Sequence, residues 1–135
     1  MLVVLDTNIL VSSLSRRSSS NWVIQLLMEG TYELAVTNEI LAEYEEVLSI
    51  KYGREVAYTF LDALDFLPNV VRTNVYFNWN LLSDADDNKF VDAAVACGAD
   101  ALVSEDRGFR ILSQVEFPKL VLLKLDEFKA ILSEA

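Results

Sequence analysis

The chain has 135 residues, 53% of them hydrophobic, enough for one well-formed core and too few for two ordinary domains, so a single domain over residues 1–135 is expected. Its 21 acidic residues against 11 basic ones give a net charge of −10, which argues against a scaffold that holds nucleic acid by charge alone, though not against an enzyme whose acidic site is neutralised by divalent ions. The absence of histidine removes Ser-His-Asp and Cys-His nucleophiles, His-dependent ribonuclease chemistry and His-ligated metals.

The first segment is an apolar run over residues 1–5 that ends at Asp6, as a strand buried on both faces would be. No apolar run approaches the roughly 18 residues that span a bilayer, and no basic leader precedes Asp6, so the sequence reads as soluble and cytoplasmic, with no membrane partner. Ser18-Ser19-Ser20-Asn21 then supplies N-cap candidates for a helix over 22–29, which Gly30 stops. A strand is expected over 32–37, a helix capped by Asn38 and running to about Lys51, and a second helix over 53–67 closed by Pro68. A short strand over 69–74 leads into an aromatic loop with Tyr76, Phe77 and Trp79, for which burial against the core is favoured over base stacking.

The second half keeps this alternation. A helix opens at Asp84-Ala85-Asp86-Asp87-Asn88 and runs to about Gly98, followed by a strand over 101–105, a short helix over 107–113, a strand over 120–124 and a terminal helix over 126–133. Strand and helix in turn predict an α/β fold, a mostly parallel central sheet between two helical layers, with ligands gathering at the carboxyl ends of the strands. The single cysteine, Cys97, has no partner for a disulfide and sits in a run of small residues, so packing is its expected role.

Acids recur where apolar segments end or helices begin, and carboxylates gathered at strand ends repel one another unless a hard cation sits among them. Asp6 directly ends the first strand, which places it at the mouth of a ligand crevice; its alternative role is a helix cap, with Thr7 and Asn8 beside it. In the helix after Asn38, a rotation of about 100° per residue puts Ile40, Leu41, Tyr44, Val47 and Leu48 on one stripe, bordered by Glu43 and Glu45. On local evidence a solvated face is the favoured account of that charge run. In the next helix the stripe is Phe90, Val91, Ala94 and Val95, with Asp87 on its side and Asp92 well away. One of Asp84, Asp86 and Asp87 is expected to cap this helix, and the surplus suggests a ligand. Asp106 follows the strand that ends at Ser104-Glu105, as a ligand or as the cap of the short helix beyond. Four scattered glycines allow neither a dinucleotide fingerprint nor a phosphate loop.

Leu5-Asp6-Thr7-Asn8, Glu39-Ile40-Leu41-Ala42-Glu43-Tyr44, Asp84-Ala85-Asp86-Asp87-Asn88-Lys89-Phe90 and Leu102-Val103-Ser104-Glu105-Asp106 together resemble the ordered motifs of a PIN-domain ribonuclease. The resemblance spans essentially the whole chain and is strongest to bacterial and archaeal PIN proteins described as toxin components of toxin–antitoxin systems. It implies an α/β/α domain in which four acids, Asp6, Glu43, Asp87 and Asp106, bind Mg or Mn and cut RNA, with Asp84 and Asp86 as alternatives for the third acid. Thr7, Asn8 and Ser104 match the small polar positions beside the acids. It also implies a homodimer and an inhibitory antitoxin protein as partners.

Two features depart from the family pattern. The usual Thr-Gly-Asp or Thr-Arg-Asp reads Ser104-Glu105-Asp106, adding a carboxylate of open role, and the third acid lies in a run of aspartates. The expected reaction is hydrolysis of a phosphodiester bond, with Arg16, Arg17, Lys89, Arg107 and Arg110 as candidates to meet RNA phosphates. Two other classes compete. A non-catalytic Mg-binding signalling module would need paired acids after the first strand and a lysine after the last; only Asp6 stands at the first, although Lys124 stands at the last. A PIN-like subunit acting through protein contacts alone is the other.

Overall fold

A computed structural model describes residues 1–134. Five strands, β1 (Leu2–Leu5), β2 (Glu33–Val36), β3 (Val70–Arg72), β4 (Ala101–Val103) and β5 (Leu122–Leu123), form one sheet in the order β3-β2-β1-β4-β5, every pairing parallel. Val3, Val4 and Leu5 have no exposed surface, as a central strand covered on both faces requires. Strand order runs outward from β1 in both directions, so the crevice between the carboxyl ends of β1 and β4 is the topological switch point where ligands gather in open α/β sheets.

The helices are α1 (Thr7–Ser13), α2 (Trp22–Met28), α3 (Asn38–Tyr52), α4 (Arg54–Phe66), α5 (Asn88–Cys97) and α6 (Leu125–Glu134), with 3-10 turns at Ala85–Asp87 and Arg107–Gln114. The arrangement is the expected α/β/α fold with a parallel sheet. None of these helices is long and apolar enough to cross a membrane among the described residues. The core joins the strands to Tyr32, Tyr44, Phe90, Phe109 and Phe128, all essentially without exposed surface. The buried hydroxyl of Tyr32 donates to the Val23 carbonyl at 2.7 Å, and its ring meets Phe128 edge-on at 5.1 Å, closing α6 onto the sheet. Cys97 is free and half-buried against this core.

Three differences from the sequence reading bear on function. The chain turns into α1 immediately after Asp6, a helix that the sequence offered only as what Asp6 or its neighbours would cap; Thr7, Ile9, Leu10, Val11 and Ser13 are all buried, so its polar face is narrowed to Asn8 and Ser12. The cap of α3 is Thr37, not Asn38, its side chain accepting from the Ile40 N–H at 3.1 Å. The helix expected from Asp84 begins instead as a 3-10 turn and becomes α-helical at Asn88. It ends as expected at Gly98, whose left-handed backbone, φ 65°, suits a residue without a side chain.

Candidate active site

Asp6 is 5% exposed and sits between β1 and α1 at the switch point. Its N–H donates to the Val103 carbonyl at 3.1 Å, which ties the end of β1 to the end of β4. Beneath it, the buried hydroxyl of Tyr44 on α3 donates to the Leu5 carbonyl at 2.6 Å, fixing the turn from below. Tyr44 belongs to the apolar stripe of α3, and nothing in the local sequence marked it as a support for the site.

Ser104 joins the two strand ends. Its Oγ donates to Asp6 Oδ2 at 2.7 Å and accepts from the Asp106 N–H at 3.0 Å, so Asp6 and Asp106 lie at one mouth rather than on opposite sides of the molecule. Asp106 also caps the turn that follows it, Oδ1 accepting from the Gly108 N–H at 2.9 Å. Capping and a place at the crevice, separate readings of the sequence, are therefore compatible. Glu105 is turned the other way, its Oε1 accepting from the Leu125 N–H at 2.9 Å at the start of α6. The extra carboxylate of the last motif thus holds the terminal helix.

Of the two glutamates bordering the α3 stripe, Glu43 faces the crevice. Its Oε2 accepts from the Thr7 hydroxyl, and its Oε1 pairs with Lys89 Nζ at 2.7 Å, both side chains largely shielded from water. Glu45 instead lines a shallow hollow with Ile50, Arg54 and Tyr58 on the α3–α4 side. In the aspartate run, Asp84 caps the 3-10 turn through the Asp86 N–H at 3.0 Å, and Asp86 is exposed. Asn88, whose role the sequence did not disclose, fixes this run by accepting from the Leu82 N–H at 2.9 Å.

Electrostatics show which acids share a field. Burial raises the Asp6 carboxyl above its ordinary range; the Ser104 hydrogen bond opposes the rise, and Asp106 and Glu43 add to it. Asp87 is pushed up to about 6, first by burial and then by the charges of Asp84, Asp6, Asp106 and Glu43. Of the other five candidate ligands named from the sequence, all but Asp86 act on Asp87. The donor set is hard oxygen throughout, which suits Mg or Mn and not a soft metal. Among the described residues, however, no group of three or more acidic or cysteine side chains is drawn together tightly enough to hold a metal ion. Glu43 is engaged by Lys89, Asp106 by Gly108 and Asp84 by Asp86, so the ring is open rather than closed.

Among the basic candidates, Lys89 pairs with Glu43, while Arg16, Arg17, Arg107 and Arg110 are exposed and form no ion pair among the described residues. Asp92 corrects the helical reading of α5: it is 5% exposed, because the loop through Trp79 covers the face on which it lies. The aromatic loop corrects a second expectation. Trp79 is half-buried against Phe77 and Phe117, but Tyr76 and Phe77 themselves are 91% and 62% exposed.

A parallel α/β/α sheet with acids at its switch point puts the candidate site where open α/β sheets bind their ligands. A family model described as the PIN domain matches residues 2–108, and the chain belongs to that family. PIN domains are generally nucleases and typically use divalent metal ions. No curated protein matches the chain in sequence. Among solved structures, the fold is similar to a chain in the crystal structure of VapBC2 from Rickettsia felis bound to a DNA fragment from their promoter. That likeness has a TM-score of 0.64 and 19% identity, and covers 92% of this chain and 98% of the other.

Proposed function

We propose that the protein is a Mg- or Mn-dependent endoribonuclease acting as the toxin of a toxin–antitoxin pair. The observation that carries the catalytic part is the Ser104 hydroxyl, which binds the Asp6 carboxylate and the Asp106 backbone N–H at the switch point, with the charges of Asp6, Asp106, Glu43 and Asp87 sharing one field. Asp6, Glu43, Asp87 and Asp106 are the proposed catalytic ligands, and Asp84 and Asp86 flank the third position. The cation, when bound, lowers the pKa of an attacking water and stabilises charge developing on phosphate oxygens. Asp6 and Asp106 would hold it, Glu43 and Asp87 would add ligands or orient the water, and Ser104 holds the ends of β1 and β4 together. Lys89, paired with Glu43 at the edge of this set, would be placed to meet a phosphate of the RNA.

Similarity to a chain of VapBC2, a complex bound to a fragment of its own promoter, supports an antitoxin protein as partner. The homodimer and cytoplasmic location implied by the resemblance belong to the same proposal. Purified protein is expected to cut RNA in Mn, to stop when the metal is chelated, and to lose cutting and toxicity on Asp6→Asn. Uncut RNA in Mn, together with metal binding and toxicity unchanged in Asp6→Asn, would instead establish a PIN-like subunit that acts through protein contacts.

A further inference from the structure

Beside the acid-rimmed crevice, over the ends of β2 and β3, two adjoining cavities of about 280 and 530 Å³ share Thr73, Asn74 and Asp92 in their walls. The smaller also carries Asn38 and Lys89, and Lys89 is the residue paired with Glu43, so the cleft opens directly beside the crevice. Tyr76 and Phe77 stand at the rim of the larger one. We infer that this cleft takes one base of the RNA, a base with N–H donors on its Watson–Crick edge and guanine foremost, with Asp92 accepting from that edge and Tyr76 stacking on its face. The inference deepens the ribonuclease reading above and rests on it.

Asp92 carries the argument. Its side chain is almost entirely shielded, yet the N–H of Trp79, donating to Oδ1 at 3.0 Å, is its one hydrogen-bond partner among the described residues. No fully buried side-chain oxygen there lacks a partner, so the unpaired Oδ2 reaches the cleft that Asp92 lines. A carboxylate in that position repels a phosphate and accepts from a base edge, which separates the two parts of a nucleotide by chemistry. Guanine presents two adjacent donors, N1–H and the N2 amino group, whereas uracil presents one imide N–H between two carbonyls that the carboxylate repels. The side chains of Asn38 and Asn74 add uncharged donors and acceptors. An exposed aromatic side chain at the rim is the feature by which proteins stack an unpaired base.

Binding of the trinucleotides AGA and AUA to the full chain, followed by tryptophan fluorescence with chelator present so that nothing is cut, tests the assignment. AGA is expected to bind about tenfold more tightly than AUA. Asp92→Asn should erase that preference, and Tyr76→Ala, at a position too exposed to affect folding, should weaken both trinucleotides about tenfold. Equal binding of AGA and AUA, no binding of either, or an undiminished preference in Asp92→Asn overturns the assignment. If the native chain leaves RNA uncut in Mn while the AGA preference holds, the nuclease reading fails and the base site stands.

Discussion

Four of the five strands of the sheet end in two different chemistries. β1 and β4 run into acids, Asp6 on one and Glu105-Asp106 on the other, whereas β2 and β3 run into Thr37-Asn38 and Thr73-Asn74. At the β1–β4 end, burial and like charge hold Asp6 above its ordinary pKa, a cost that a divalent cation would remove. At the β2–β3 end the strand termini are neutral hydrogen-bonding groups, which neither attract a metal nor repel a base. One sheet edge thus separates a cluster of acids from a cleft in which the Asp92 carboxylate stands beside neutral strand ends, with Lys89 between them.

The sharpest way to break this contrast is to neutralise the acid at its centre. Asp6→Asn should lower RNA cleavage in Mn about a hundredfold or more, since several kcal/mol of transition-state stabilisation depend on the metal. The same variant without metal should be more stable than the native chain at neutral pH, because it removes a buried carboxylate that is penalised when ionised. Cleavage rates and chelator-treated urea unfolding measure the two effects, and opposite signs are the mark of a site built against stability. Ser104→Ala comes next. It deprives Asp6 of a donor and the Asp106 N–H of an acceptor, so metal affinity should fall about 10- to 100-fold and stability by about 1–3 kcal/mol, measured by calorimetric metal titration and unfolding.

Much of the acidic end was legible because it depends on local pattern. An apolar run stopped by Asp6 reads as a buried strand reaching a crevice, and Leu102-Val103-Ser104 before Asp106 reads the same way. What the chain hid depends on contacts distant in sequence. Glu43 is separated from Glu45 by Thr7 and Lys89, neither on its own helix, and α1 is so largely buried that its polar face, Asn8 and Ser12, is too narrow to mark its extent. Asp92 looked like a solvent residue until the loop through Trp79 closed over it, and a wheel drawn on α5 alone contains no trace of that loop. The aromatic loop failed for the converse reason: composition favours burial of Tyr76 and Phe77, yet a long connection anchors itself through Trp79 and leaves them outside.

A smaller effect distinguishes acids that share the field from acids that are merely nearby. The folded-state pKa of Asp87 is about 6, above the ordinary carboxylate value, so the folded protein binds more protons than the unfolded chain between roughly pH 4 and 6. Metal-free stability should therefore fall as pH rises through that window and stay lower above it. After allowance for solvent screening the loss is on the order of 1 kcal/mol. Asp87→Asn should flatten that fall and recover most of the loss at pH 7.5, while lowering cleavage, as urea unfolding across pH and an RNA assay would show. Asp86→Asn, at an exposed position that does not enter the Asp87 shift, should leave the pH profile unchanged.

Glu105 provides the smallest effect and the most direct control. It lies between Ser104 and Asp106, and by position alone it belongs to the acidic end, yet its carboxylate accepts from the Leu125 N–H and draws α6 against the end of β4. Glu105→Ala should cost about 0.5–1 kcal/mol in unfolding free energy, the usual worth of a hydrogen bond that closes a helix start, and leave Mn-dependent cleavage within about twofold of the native rate. A large loss of cleavage with stability unchanged would move Glu105 into the metal site. The contrast would then rest on the number of acids at the strand ends rather than on where each side chain turns.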